Sequence, residues 1–151
     1  MELEKVINND IKEAMLAKDA RKLESLRAIK AALLLAKTGK DIHGGEIPET
    51  IELQLLQKLV KQRRESAEIY TQGGRKDMAD EELYQASIIE QYLPKQFSHE
   101  EISIAVQQII DDLRATGPKD LGRVIGVAVK QLAGKADGKE IAAIVKELLP
   151  S

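Results

Sequence analysis

The sequence predicts an all-α protein: an N-terminal four-helix bundle-like domain followed by a small three-helix C-terminal domain. Three observations carry that expectation. Apolar residues recur at the three-and-four spacing of a helix face along most of the chain, no stretch alternates at the two-residue period of a strand, and glycines, prolines and capping residues cut the pattern into about seven pieces.

Leu3, Val6, Ile7, Ile11, Ala14 and Met15 define a first helix, and Leu23, Leu26, Ile29, Leu33 and Leu34 a second. Asp19 is the expected N-cap between them, and so short a connection makes them antiparallel. Gly39, Gly44 and Gly45 mark 38–47 as a loop. Pro48 opens a long third helix, because its missing N–H costs nothing in a first turn. That helix carries Ile51, Leu55, Leu56, Leu59, Val60, Ala67 and Tyr70 and ends at Gly73-Gly74. Asp77 is expected to cap a fourth helix bearing Met78, Leu83, Ile88, Ile89 and Tyr92, which Leu93-Pro94 stops. Residues 94–97 then read as a linker between domains 1–93 and 98–151. Ser98-His99-Glu100-Glu101 is a capping box, in which serine and the glutamate three residues on each satisfy a free backbone donor. Ile102, Val106, Ile109, Ile110 and Leu113 continue that helix to Thr116-Gly117-Pro118, and two more helices end near Leu149.

Composition narrows the function. With 151 residues, 43% hydrophobic and 32% charged, the chain is globular in character. The formal charge is −2, and residues 98–151 hold 7 of the 23 basic and 8 of the 25 acidic residues, so neither part is a polycation. Binding to DNA or to nucleic acid at large through bulk charge is not expected, and any such contact must come from a local stripe. The aromatic residues are Tyr70, Tyr84, Tyr92 and Phe97, none of them in the cationic last third. Stacking of single-stranded bases therefore lacks a platform, whereas folded RNA read through backbone and shape stays open. The absence of cysteine excludes disulfides, thiolate catalysis and sulfur-bound metal. His43 and His99, far apart and without a ligand-spaced companion, read as a loop residue and a helix-start residue, so neither a metal nor another cofactor is expected. The first residues lack a basic start with a long apolar core, and no apolar run reaches membrane-spanning length. The expectation is a soluble cytoplasmic protein without a membrane partner.

The last third holds the candidate site. Pro118-Lys119-Asp120-Leu121-Gly122-Arg123-Val124-Ile125-Gly126 and Gly134-Lys135-Ala136-Asp137-Gly138-Lys139 set glycines among cations. Each interior glycine costs a helix roughly 1 kcal/mol relative to alanine, so bare backbone there calls for a reason in packing or in a partner. On a wheel, Leu121, Val124, Ile125, Ala128 and Leu132 gather on the core side. Lys119, Arg123, Gly126 and Lys130 fall nearly opposite with Gly122 beside them, and Asp120 points to the side. Asp137 is the expected cap of the final helix, whose free N–H groups attract anions, with Lys135 and Lys139 flanking it. Lys119, Gly122, Arg123, Gly126, Lys130, Gly134, Lys135, Gly138 and Lys139 are thus candidate phosphate-binding positions. The same features also describe a left-handed terminator at Gly134, a simple cap at Asp137 and solvated lysines. A bare glycine strip would equally seat a partner helix. A second basic surface, Lys58, Lys61, Arg63 and Arg64, carries its own internal pairing, Lys61 with Glu65 and Arg64 with Glu68.

Together, 61–66 (KQRRES), 74–77 (GRKD), 90–96 (EQYLPKQ) and the two glycine-and-cation segments resemble the GatB/YqeY family, in order and over nearly the whole chain. The resemblance implies a two-domain helical protein whose C-terminal part is similar to the GatB tail domain of the tRNA-dependent Asp/Glu amidotransferase. It implies tRNA as a partner, amidotransferase or aminoacyl-tRNA synthetase proteins as further partners, and the family label of carbon–nitrogen ligase with glutamine as amido-N-donor. Against an autonomous reaction stand the missing cysteine, serines placed singly on helix caps or faces, and no nucleotide-binding GxxxxGK[ST] loop. Val127-Ala128-Val129 departs from the resemblance, standing where family members often carry bulkier, methionine-like residues. The reading is an accessory or tRNA-binding module with no catalytic residues of its own, and the alternative is a protein-interaction module that seats a partner helix.

Overall fold

Seven α-helices make up the described residues, 2–39 and 46–150, of the computed structural model. They are α1 (Leu3–Leu16), α2 (Ala20–Lys37), α3 (Glu49–Gln72), α4 (Lys76–Glu90), α5 (His99–Leu113), α6 (Leu121–Gln131) and α7 (Gly138–Leu148), with one 3₁₀ turn at Pro118–Asp120. The all-α expectation holds. The expected positions of His43, Gly44 and Gly45 lie outside the described residues. Met1–Leu93 and Pro94–Ser151 form two compact units.

In the first unit α1 pairs with α2 and α3 with α4, while α2 packs on both α3 and α4. Leu3, Ile7, Leu26, Ile29, Leu33, Leu56 and Ile89 are buried at its centre. Asp19 caps α2 by accepting the Lys22 N–H at 3.1 Å. Glu2 supplies no side-chain cap to α1; the buried Glu52 of α3 accepts the Leu3 N–H instead, at 3.0 Å. Burial pushes the Glu52 carboxyl above its ordinary value. The Tyr92 phenol donates to Asp10 of α1, and burial, reinforced by that carboxylate, pushes the phenol well above its ordinary range. Arg21 of α2 lies 3.8 Å from the Tyr84 ring centre and pairs with Glu81 at 2.9 Å, joining α2 to α4.

Some sequence expectations need correction. Asp77 lies inside the first turn of α4, whose N-cap is Arg75. Val6, Met15, Leu34 and Leu83 are 42%, 56%, 48% and 47% exposed, whereas Ala79 and Ala86 of α4, which the pattern passes over, are buried along with the expected Ala67 of α3. The wheel credits large side chains, but an antiparallel pair as extensively packed as α3 and α4 buries alanines where small side chains let the backbones approach.

In the second unit the capping box forms: Glu101 N–H donates to Ser98 Oγ at 3.1 Å and Ser98 N–H to Glu101 Oε1 at 2.9 Å. α5, α6 and α7 enclose Ile102, Val106, Ile110, Val124, Ala128, Ile141, Ile144 and Val145. Residues 94–97, read from sequence as a linker, belong to this unit. Phe97 packs on the core, its N–H donates to the Lys135 carbonyl at 2.8 Å, and the Gln96 amide donates to the carbonyls of Pro94 and Gly134 at 2.8 and 2.7 Å.

Candidate nucleic-acid interface

α6 begins where Pro118 fixes the backbone of a 3₁₀ turn that runs directly into Leu121. The Asp120 carboxylate closes the junction by accepting the Thr116 N–H at 3.0 Å, and that bond, ahead of the nearby Arg123 and Lys119 charges, holds its carboxyl below the ordinary value. Val124, Ala128 and Leu132 are buried, which fixes the rotation of α6 and turns Lys119, Gly122, Arg123, Gly126 and Lys130 to solvent.

A Cβ added at Gly122 or Gly126 would meet nothing within 4 Å. Packing within the chain therefore does not require either glycine, although Gly126 in mid-helix carries the full propensity cost. The result is a strip of bare backbone bordered by cations. Val127 and Val129, 37% and 39% exposed, also lie on the accessible part of α6.

Arg123 requires a correction. Asp120 does not point clear of it: Arg123 Nη2 lies 3.2 Å from Asp120 Oδ1 and 3.2 Å from the Leu113 carbonyl. One helical turn separates the two residues, so an arginine stem reaches back easily, and the guanidinium braces the α5–α6 connection.

The α6–α7 turn is another kind of place. Gly134 is buried with φ +78°, in the left-handed region that favours glycine. It lies in the turn beyond α6, whose C-cap is Leu132, and, being buried, leaves no bare surface for an anion. Lys135 is half-buried, with its ammonium 5.5 Å from the centre of the Phe97 ring. Asp137 occupies the N-cap position of α7 without a side-chain capping bond, contrary to expectation, and its carbonyl accepts the Ile141 N–H at 3.0 Å. Gly138 and Lys139 open α7 on its exposed side, and a Cβ at Gly138 would also meet nothing.

The second basic surface disperses. Arg64 Nη2 contacts both carboxylate oxygens of Glu90 at 2.8 and 2.9 Å, a pairing between α3 and α4 in place of the expected one with Glu68. Arg63 is half-buried, Lys61 is engaged, and Lys58 is exposed. His99 starts α5 and lies 3.9 Å from Glu140. Among the described residues no group of three histidine, cysteine or acidic side chains is placed to hold a metal, and no helix is long and apolar enough to cross a membrane.

Sequence reasoning missed Asp120 as the partner of Arg123, and Gln96 and Phe97 as residues that bind the α6–α7 turn. For Phe97 a signal existed, since it stands just before the Ser98 cap, where a hydrophobic staple places an apolar residue. For Gln96 none did.

The family model described as Yqey-like protein matches residues 4–149. A Kluyveromyces lactis protein named Altered inheritance of mitochondria protein 41, mitochondrial, is 28% identical over 138 residues, covering 89% of this chain and 69% of its own length. Its namesake in Clavispora lusitaniae is 29% identical over 146 residues, covering 94% and 82%. The Saccharomyces cerevisiae namesake is 25% identical over 139 residues, covering 90% and 71%. These relatives are named as mitochondrial proteins, which overturns the cytoplasmic expectation. The charge and hydropathy of the first residues do not carry the compartment.

Proposed function

The chain belongs to the YqeY-like protein family, and on that premise we propose that it is an accessory tRNA-contacting module, related to glutamine-dependent tRNA amidation, whose C-terminal unit engages the backbone of folded RNA. The observation that carries the reading is the outward face of α6. Two glycines there have open space above them, and the exposed Lys119 and Lys130 border them. Phosphates need close approach and available cations, and this face supplies both. Phe97 is packed against the core, so the unit offers shape and charge in place of base stacking.

The module has no reaction of its own on this reading. Ser87 and Ser103 donate to carbonyls one turn back, Ser98 caps α5, and Ser25 is buried. None of these is set up as a nucleophile with a base. The names of the relatives tie them to mitochondria and do not mention RNA, so the RNA reading rests on the ridge.

Titration of tRNA at two salt concentrations tests it. Replacing Lys119 and Lys130 with alanine should lower affinity and reduce the salt slope by about 0.7–0.9 per lost phosphate contact; an unchanged slope refutes the assignment. The exposed Val127 and Val129 favour a second reading, in which the strip seats a partner helix. A protein partner that survives ribonuclease treatment and is lost on Gly126→Leu would establish that reading instead.

A further inference from the structure

Gln96 stands outside the glycine-and-cation segments, yet it is bonded to one of them. Its side-chain NH₂ donates both hydrogens to carbonyls, Pro94 at 2.8 Å and Gly134 at 2.7 Å. The next residue repeats the tie: Phe97 N–H donates to the Lys135 carbonyl at 2.8 Å, and the Lys135 ammonium lies 5.5 Å from the Phe97 ring centre. Three contacts from two consecutive residues therefore fix the path of Gly134-Lys135. Gly134, in its left-handed conformation, lies inside the turn that carries the chain from the end of α6 at Gln131 to the start of α7 at Gly138. Lys135, Gly138 and Lys139 follow that point within five residues, so the direction in which their charges and N–H groups face depends on how the turn is held. A primary amide suits the task. Glutamate has no N–H to offer two carbonyl oxygens, and alanine leaves both without this donor.

We infer that Gln96 is a positioning residue for the cationic α6–α7 turn, acting through Gly134 and Lys135 to hold Lys135 and Lys139 in register with the Lys119–Lys130 ridge. This rests on the proposed RNA contact. Gln96 itself touches no ligand.

The test is a double-mutant cycle with unfractionated tRNA, reading affinity and salt slope on the full chain. Gln96→Ala is expected to reduce the slope by about one, the worth of one phosphate contact. Added to K135A/K139A it should cause no further loss, because the residues it positions are already gone, whereas added to K119A/K130A its effect should be retained in full. Equal losses in both backgrounds, or an unchanged slope for Gln96→Ala when K135A/K139A lowers it, overturns the inference and leaves the RNA reading standing. If neither lysine pair affects binding, both fall. A measurement on the unaltered protein guards against a variant that fails to fold. Saturating tRNA should slow hydrogen exchange of the Phe97 amide, since site and clamp are linked reciprocally; exchange that does not change on saturation rejects the coupling.

Discussion

Gly126 and Gly134 both lie within a few residues of a lysine in the last third of the chain, yet they occupy opposite situations. Gly126 sits in mid-helix facing solvent, where an added Cβ would touch nothing. Gly134 is buried at φ +78°, and its carbonyl is held by Gln96. The fold requires glycine at 134 and merely tolerates it at 126. A glycine that the fold does not use, placed where it weakens a helix, is a better pointer to a partner than one the turn demands.

Exchanging each glycine for alanine tests that contrast. Gly134→Ala forces a side chain into the left-handed region and should destabilise the protein by about 1–2 kcal/mol in chemical denaturation. Gly126→Ala should act with the opposite sign, stabilising by about 0.8–1 kcal/mol while weakening tRNA binding. Should Gly126→Ala destabilise, the fold needs that glycine after all and the ridge loses its main support.

A smaller contrast appears in acid. Asp120 and Glu101 have carboxyls held below their ordinary values, Asp120 chiefly by the Thr116 N–H and Glu101 by the Ser98 backbone and side chain. Their folded forms bind protons less readily than the unfolded chain, so their contribution is present at neutral pH and fades as pH falls through 4.5 and 3.8, the ordinary values for Glu and Asp, toward their lower folded values. Glu52 in the first unit is raised by burial, so the folded state takes up its proton first and gains stability as pH falls toward 4.5. Hydrogen exchange followed from pH 6 to about pH 3 should show α5 and the start of α6 losing protection sooner in the parent than in Asp120→Asn, which no longer titrates there. Equal acid sensitivity of the two would remove Asp120 as the cause. Smallest of all, Lys119→Ala and Lys130→Ala should leave stability within about 0.5 kcal/mol of the parent, as expected of cations that serve something outside the chain.

Much of the helical pattern was legible because its signals are local. The Ser98–Glu101 box, the Asp19 cap and the glycine stop at 73–74 each depend on residues within one turn of each other. The wheel also oriented α6 correctly, because Val124, Ala128 and Leu132 form an unbroken apolar side. The same method misjudged α4, where Ala79 and Ala86 are buried and Leu83 is not, because small residues at a close helix crossing carry no hydropathy signal. The candidate site divided along the same line. Exposure of Lys119, Gly122, Gly126 and Lys130 followed from helix phase. The engagement of Arg64 by Glu90 and of Gly134 by Gln96 depended on where chain segments meet, whereas the Arg123–Asp120 pair is local, three residues apart, and the wheel overlooked it because a long side chain can reach back one turn.

Local chemistry in the chain decided that it is helical, where most helices start and stop, and which side of α6 faces outward, since caps, turns and apolar phase act over a few residues. Packing decided which cations are drawn into contacts within the chain and which glycines are structural. Those properties depend on neighbours 10 to 60 positions away, from Arg123 with Leu113 to Arg21 with Glu81, and only the assembled helices bring such residues within hydrogen-bonding distance.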